Sequence, residues 1–101
     1  EKAKAFDFSA PVSSLIPVAE FEDIEQIAFS LKKNEETVQN GNTKDMIFSY
    51  PAIIAYVSQF MTLKTGDLIF TGTPAGVGPV VIGDKLEAFI EEKKMLTVNI
   101  R

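Results

Sequence analysis

The 101-residue sequence predicts an α+β fold that is mostly β, with one prominent helix at about residues 50–62. Three observations support this class. Apolar and polar residues alternate in separate parts of the chain, as half-buried strands require. Apolar residues recur at helical spacing in one convincing segment between them. A stretch rich in glycine and proline, residues 71–79, then forces a sharp turn that neither a strand nor a helix can accommodate.

The first half of the chain is predicted to contain short strands joined by polar turns. Loose alternation predicts a strand over residues 1–8, and prolines and serines predict a loop over 9–17. The acidic residues 20–25 are typical of a solvated turn or a single helical turn. A strand is predicted over 26–31, a polar turn over 33–36 and a short return strand over 37–39. The pair Asn40-Gly41 is the strongest hairpin signal, so we expect a β-meander over roughly residues 26–48.

The helix has clear start and stop signals. Ser49 is a favourable N-cap, and Pro51 lies close to the first helical position, where its missing N–H costs nothing. Gly66 makes the turn that follows the helix. We expect one face to be buried, inside the subunit or against a partner; its apolar residues are Ile53, Ile54, Val57, Phe60 and Met61.

The last third of the chain is predicted to be β-structure around a loop. Residues 67–72 contain a short apolar run that is typical of a buried strand, and the glycine-rich loop follows it. Strands are then expected near residues 85–91 and 95–100, with a polar turn at 92–94. From the residues alone the loop has two interpretations: a binding site, because small residues let a ligand approach the backbone, or an ordinary turn.

Composition excludes several function classes. Apolar residues make up 46% and charged residues 24%, which is typical of a globular protein, and no apolar run approaches the roughly 18 residues that span a membrane. The net charge is −4 with no basic patch, so we expect neither nucleic acid nor membrane as a partner. The absence of cysteine favours a reducing compartment, and we expect a cytoplasmic protein. The absence of histidine removes the commonest general base and metal ligand from this segment.

Four segments together resemble the fumarylacetoacetate hydrolase family. They are KAFD at residues 4–7, NTKDMIF at 42–48, LKTGDLIFTGTPAGVGP at 63–79 and GDKLE at 83–87. The string TGTPAGVG is specific, and the resemblance is to the C-terminal half of the catalytic domain of acylpyruvase-like or isomerase-like bacterial members. It implies a mixed β-sandwich roll and a homodimer. Residues 1–101 would then be the C-terminal part of a single domain, whose N-terminal metal-binding part lies outside this chain.

The resemblance also implies roles for particular residues. Lys4 matches the active-site lysine, and Thr73 matches a threonine that binds the carboxylate or keto-acid end of the substrate, in a loop shaped by Gly72 and Pro74. A solvated strand lysine and a turn-capping threonine are the alternatives. Glu87 is a weaker candidate, since we favour an alternating strand at a solvent-exposed edge there. Acidic residues upstream of this chain would bind Mg²⁺ or Mn²⁺, and we do not assign Asp7 as a metal ligand.

These expectations give a functional hypothesis and one alternative. The full protein would be a metal-dependent hydrolase, isomerase or decarboxylase that acts on small diketo or oxo acids through a metal-stabilised enolate, with hydrolysis of an acylpyruvate C–C bond favoured. The alternative is a non-catalytic structural fragment of such an enzyme, inactive without its metal-binding half. One departure from the family concerns substrate preference. Ser13-Ser14 follows Pro11-Val12, where many relatives have Gly-Pro, so that loop is expected to differ in shape.

Overall fold

The computed structural model describes residues 11–101, which form an antiparallel sheet of four strands with a single α-helix. The α+β class predicted from the sequence is confirmed. The strands are ordered β2-β1-β3-β4 in the sheet. The predicted strand over residues 1–8, with Lys4 and Asp7, lies outside the described residues. The elements are β1 (Ala28–Lys33), β2 (Glu36–Asn42), α1 (Tyr50–Ser58), β3 (Lys85–Ile90) and β4 (Lys93–Asn99), with 3₁₀ helices at Val18–Glu20 and Thr43–Asp45.

Strands β1 and β2 form a hairpin whose turn is at Asn34 and Glu35, both with positive φ (52° and 70°). The polar turn predicted over residues 33–36 is therefore confirmed, and the hairpin turn predicted at Asn40-Gly41 is wrong. Both of those residues lie in β2. A Cβ on Gly41 would lie 2.7 Å from Cζ of Phe29, so glycine is present because an aromatic ring packs against the backbone there.

The predicted meander ends earlier than expected. After Asn42 the chain enters the 3₁₀ helix Thr43–Asp45 and does not form a further strand before residue 48. Thr43 ties this exit to the start of β1, because its Oγ1 accepts a hydrogen bond from Ile27 N at 2.8 Å and donates one to Ile24 O at 2.9 Å. These contacts fix the direction in which residues 43–50 leave the sheet.

Strand β3 is a central strand, paired with β1 on one side and β4 on the other. The turn between β3 and β4 is at Glu91 and Glu92, slightly earlier than the predicted 92–94, and residues 93 and 94 already belong to β4. The register distinguishes two faces. Lys32, Glu87 and Thr97 form one cross-strand row, whereas Leu31, Ala88 and Leu96 form the neighbouring row on the opposite face.

Helix α1 begins as predicted and ends sooner. Ser49 caps it, with Oγ accepting a hydrogen bond from Ala52 N at 3.3 Å, and the helix ends at Ser58, before the predicted residue 62. On the face that was expected to be buried, residues 53 and 57 are half-buried, whereas Ile54, Phe60 and Met61 are 48%, 69% and 61% exposed. None of the helices in residues 11–101 is long and apolar enough to cross a bilayer.

The apolar run at 67–72 does not form the predicted strand. Leu68 is 53% exposed and Phe70 is 72% exposed, and no described strand pairs with this segment. An apolar run becomes a buried strand only if neighbouring strands satisfy its backbone and cover its side chains. The sheet is also incompletely covered, because no apolar side chain within residues 11–101 is fully buried.

Candidate functional site

An open cleft lies between the end of β2, the segment that leads into α1 and the glycine-rich loop. It has a volume of about 630 Å³. One wall is polar and comes from the end of β2 and the loop, and the other is largely apolar and comes from residues 46–53. Its lining residues are Phe29, Asn40, Gly41, Asn42, Thr43, Asp45, Met46, Ile47, Phe48, Tyr50, Ile53, Thr71, Gly72, Thr73, Pro74 and Ala75.

The loop can fold back over β2 because two of its glycines adopt conformations that other residues rarely reach. Gly72 has φ of +102° and Gly76 has φ of +106°. Gly76 also lies against the backbone of β2, where an added Cβ would collide with the carbonyl oxygen of Val38. At Gly76 the absence of a side chain therefore lets the loop approach the backbone of β2, whereas the predicted approach of a ligand stays a prediction.

Strand β2 is irregular at the point where the loop approaches it. Leu31 pairs with Gln39 and the next residue, Lys32, pairs with Thr37, so Val38 is an extra residue that forms a bulge. Bulges redirect side chains and are common beside functional sites. Farther along the loop, Lys33 Nζ donates a hydrogen bond to Pro79 O at 3.2 Å. The close approach of Gly76 at the bulge and this contact at Pro79 hold the second half of the loop against the β1–β2 hairpin.

Gln39 makes the central contact between strand and loop. Its Nε2 donates hydrogen bonds to Thr73 Oγ1 at 2.8 Å and to Pro74 O at 3.0 Å. Gln39 is half-buried, whereas Thr73 is exposed at the cleft. The sequence did not identify Gln39 as a candidate, because its partner Thr73 is 34 residues away and no local pattern in β2 indicates the contact.

Three residues predicted as the substrate site lie together in the cleft wall: Gly72, Thr73 and Pro74. Lys4, predicted as catalytic, falls outside the described residues, so its place relative to Thr73 stays a prediction. Asp45, which was not singled out either, is the one carboxylate among the described residues that line this cleft. It belongs to the NTKDMIF segment, so the family resemblance was the signal that pointed to its neighbourhood.

The described residues do not form a metal centre. Within residues 11–101, no group of three or more histidine, cysteine, aspartate or glutamate side chains is arranged so that it could hold a metal ion. A divalent cation prefers several oxygen ligands, and a single carboxylate in the cleft does not supply them.

Glu87 does not lie on a solvent-exposed edge, so that expectation is wrong. It is 7% exposed on central strand β3, with its carboxylate 3.0 Å from Lys94 Nζ and 3.7 Å from Lys85 Nζ. The hydrogen bond from Lys94, aided by the charges of Lys85 and Lys32, holds the pKa of Glu87 below its usual value despite the opposing effect of burial. Glu87 and Gln39 lie on opposite faces of the sheet, so the ion pairs of Glu87 are separate from the contact between Gln39 and Thr73.

Comparison with known proteins places this geometry in a family. Residues 1–101 match the family described as fumarylacetoacetate (FAA) hydrolase C-terminal. The chain is 49% identical to an oxaloacetate tautomerase from Escherichia coli, over 96% of this chain and 45% of that protein. It is 46% identical to a mitochondrial oxaloacetate tautomerase from Homo sapiens, over 97% of this chain and 44% of that protein. The chain thus spans less than half the length of these relatives.

Solved structures give the same result. A crystal structure from Yersinia pestis, assigned to the same family, is 49% identical with a TM-score of 0.91, covering 99% of this chain and 47% of that one. A maleylpyruvate hydrolase from a Sphingobium species, in complex with manganese(II) ion and pyruvate, is 37% identical with a TM-score of 0.79, covering 85% of this chain and 33% of that one. The chain therefore belongs to the fumarylacetoacetate hydrolase family, and its antiparallel sheet and α-helix match the α+β fold of these neighbours.

Proposed function

We propose that this chain is the substrate-binding C-terminal part of a metal-dependent enzyme that isomerises a small oxo acid, such as oxaloacetate, through a stabilised enolate. The observation that carries the proposal is the cleft in which the exposed Thr73 hydroxyl lies on a glycine-rich loop. The similarity to proteins named oxaloacetate tautomerase supports the choice of substrate class.

The cleft has the chemistry that a small oxo acid requires. Thr73 offers a hydroxyl and Gly72 a backbone N–H in the cleft wall, and both groups can bind carboxylate and carbonyl oxygens. Met46 and Phe48 also line the cleft and add apolar surface that the carbon skeleton of a ligand could contact. The combination fits a short substrate with a charged end and a less polar middle.

Isomerisation is favoured over hydrolysis because it needs fewer groups. Keto–enol isomerisation moves one proton between carbon and oxygen, whereas cleavage of an acylpyruvate C–C bond also needs a water activated by a base. The similarity is also greater to the proteins named oxaloacetate tautomerase, at 46–49% identity, than to a maleylpyruvate hydrolase at 37%. Acylpyruvate hydrolysis remains the second candidate, supported by the similarity to a maleylpyruvate hydrolase, and oxaloacetate decarboxylation would use the same enolate.

Lys4 and a metal complete the proposal. Lys4 would stabilise the negative charge of the enolate, and Thr73 would hold the substrate carboxylate. Mg²⁺ or Mn²⁺, bound by residues outside the described range, would polarise the substrate oxygens. We propose that residues 1–101 form one catalytic domain together with a preceding metal-binding part.

The preceding metal-binding part, together with a second copy in a homodimer, would cover apolar residues that are exposed in this chain. Val77, near the end of the glycine-rich loop, is 76% exposed, and Val81 and Ile82, just after it, are 65% and 82% exposed. Contiguous exposed apolar surface of this kind usually marks a contact with another segment or chain.

The test is a pair of assays on the full-length protein with and without added Mg²⁺. One follows the enol absorbance of oxaloacetate and the other follows acylpyruvate cleavage. We expect metal-dependent acceleration of the first, about tenfold or more loss of kcat in Lys4→Ala, and a KM raised about tenfold in Thr73→Val, the range of one hydrogen bond to a charged group. Thr97→Val, on the opposite face of the sheet, is the control and should behave as wild type.

The outcomes separate the hypotheses. Acceleration of acylpyruvate cleavage alone would favour the hydrolase. No acceleration of either reaction by the full-length protein with added Mg²⁺ would contradict the proposed function. The 101-residue chain alone should be inactive and should not bind Mg²⁺ at micromolar concentration, and tight binding would place metal ligands within it.

A further inference from the structure

The orientation of the Gln39 side chain is determined by its partners. Its terminal amide meets two oxygen atoms, the Pro74 carbonyl and the Thr73 hydroxyl. A carbonyl oxygen can only accept a hydrogen bond, so the nitrogen of Gln39, and not its oxygen, must face the loop. The opposite orientation would place two acceptors against each other at 3.0 Å.

This orientation decides what Thr73 can do. The two Nε2 protons of Gln39 are used by the two acceptors, and Thr73 Oγ1 accepts one of them. The single proton of the Thr73 hydroxyl therefore cannot point toward Gln39. Because Thr73 is exposed at the cleft, that proton is available to an oxygen atom of a ligand.

The strand holds Gln39 in this arrangement before any ligand arrives. The bulge at Val38 shifts the register of β2 so that Gln39 pairs with Leu31, and Gly76 lets the loop come close to the Val38 carbonyl. Side chains fixed in this way lose little conformational freedom when a ligand binds.

We infer that Gln39 is a positioning residue that makes the Thr73 hydroxyl a hydrogen-bond donor, so that the cleft selects ligands that present a carboxylate or enolate oxygen. The inference rests on the proposed function of the cleft. Gln39 itself does not contact the ligand and acts through Thr73. A ligand that offers only an N–H at this point could use the remaining lone pair of Thr73 Oγ1 but would leave the hydroxyl proton without an acceptor, so it would bind less well.

The test replaces Gln39 in the full-length protein and measures pyruvate binding, in the presence of Mg²⁺, together with oxaloacetate kinetics. Gln39→Leu removes both hydrogen bonds. Gln39→Glu reverses the polarity, because an ionised carboxylate accepts the Thr73 proton and draws it away from the cleft. We expect the pyruvate Kd and the oxaloacetate KM to rise about 10- to 100-fold, with the larger effect in Gln39→Glu and kcat changed less than threefold.

Two controls separate positioning from stability. Gln59→Glu makes the same chemical change at an exposed glutamine that ends α1, and it should leave Kd and KM unchanged. In the double variant Gln39→Leu/Thr73→Val, Kd should be no higher than in Thr73→Val alone, since both residues act through one hydroxyl. Multiplicative losses in the double variant, or wild-type Kd in Gln39→Glu, would overturn the inference.

A measurement without ligand keeps this test independent of the proposed function. If the wild-type protein neither binds pyruvate nor acts on oxaloacetate, the proposed function fails, whereas the contact between Gln39 and Thr73 can still be observed by NMR. We expect two distinct, slowly exchanging Gln39 side-chain amide protons, of which Thr73→Val shifts one. Two unshifted protons in Thr73→Val would show that Gln39 does not position Thr73.

Discussion

The sheet and the glycine-rich loop (residues 71–79) meet at β2, but different interactions hold them in place. The sheet is held by a backbone ladder that continues past its strands, with Asn34 N donating to Lys85 O and Ile100 N donating to Asp84 O, both at 2.9 Å. The loop is held by the side chains of Gln39 and Lys33 and by the space left at Gly76. Many sequences can form the ladder, whereas the loop depends on individual residues.

The two faces of the sheet differ in the same way. One face carries the ion pairs of Glu87, and the other carries the neutral hydrogen bonds between Gln39 and the loop. Stability and the geometry of the cleft therefore depend on different residues, and single substitutions should separate them. If a loop substitution unfolds the sheet, or if a substitution at Glu87 changes the cleft, then stability and cleft geometry depend on the same residues.

The largest effect is expected from Gly76→Val. A residue other than glycine at φ of +106° costs about 1–2 kcal/mol, before the collision with the Val38 carbonyl is counted. We expect the loop to leave β2 and kcat/KM of the full-length enzyme to fall at least tenfold, since about 1.4 kcal/mol corresponds to a factor of ten. Hydrogen exchange should be faster at the Gln39 side-chain amide, whose two hydrogen bonds to the loop would be lost, and unchanged in the backbone amides of β1 and β3.

Gly78 provides the matched control for this substitution. An added Cβ there meets nothing within 4 Å, so Gly78→Val should retain most of the activity. Equal losses in the two variants would mean that general loop flexibility matters and contact with β2 does not. Lost protection across the whole sheet in Gly76→Val would contradict the separation of loop and sheet.

The sequence predicted the elements that depend on neighbouring residues. Ser49 and Pro51 start the helix where expected, and the polar residues around Asn34 form the hairpin turn. These signals act within a few residues, so tertiary contacts change them little. The glycine-rich loop was also recognised, and Thr73 lies in the cleft as the family resemblance implied, although its role stays a prediction.

The failures involve contacts between distant residues. Asn40-Gly41 has the composition of a turn, but both residues lie in β2. Position 41 is glycine because the Phe29 ring occupies the space that a side chain would fill. The apolar run at 67–72 has the composition of a buried strand, but no described strand pairs with it. Gln39 was missed for a related reason, since the residue it contacts, Thr73, is distant in the sequence. Local composition does not encode such partners.

A second substitution tests where the loop and the sheet meet. In Gly41→Ala the new Cβ would lie 2.7 Å from Phe29 Cζ and 3.3 Å from Pro74 Cγ, so the ring and the proline must move apart. Overpacking of this kind costs about 1–3 kcal/mol. We expect a lower urea midpoint together with weaker pyruvate binding, because Pro74 belongs to the cleft wall.

A shorter side chain at position 29 should relieve the crowding. The loss in the double variant Gly41→Ala/Phe29→Leu should be smaller than the sum of the losses in the two single variants, because the shorter side chain makes room for the new methyl group. Additive losses would show that the close approach of Phe29 is not the reason for glycine. A variant with reduced stability and unchanged pyruvate affinity would show that the sheet can be strained there without moving the loop.

Glu87→Gln is expected to have the smallest effect on stability at any one pH. The pH dependence of stability distinguishes this variant from the wild type. The lysine partners keep the pKa of Glu87 low in the folded protein, so the unfolded chain binds the proton more readily. The stability that the carboxylate supplies is therefore present above the ordinary glutamate pKa of about 4.3 and is lost as the pH falls through the lower folded pKa. Because Lys85 and Lys94 are about half exposed, solvent and salt weaken the ion pairs.

Urea midpoints of wild type and Glu87→Gln should differ most at pH 6–7 and converge as the pH falls through the lowered pKa of Glu87 in the folded protein. Asp84, whose pKa is lowered chiefly by the hydrogen bond from Val81 N, should leave some acid sensitivity in both proteins. Glu92→Gln, an exposed position in the turn after β3, is the control and should follow the wild-type curve. Pyruvate affinity at pH 7 should be the same in all three proteins. A weaker affinity in Glu87→Gln would mean that the charged face influences the cleft through the sheet, and the two faces could no longer be treated as independent.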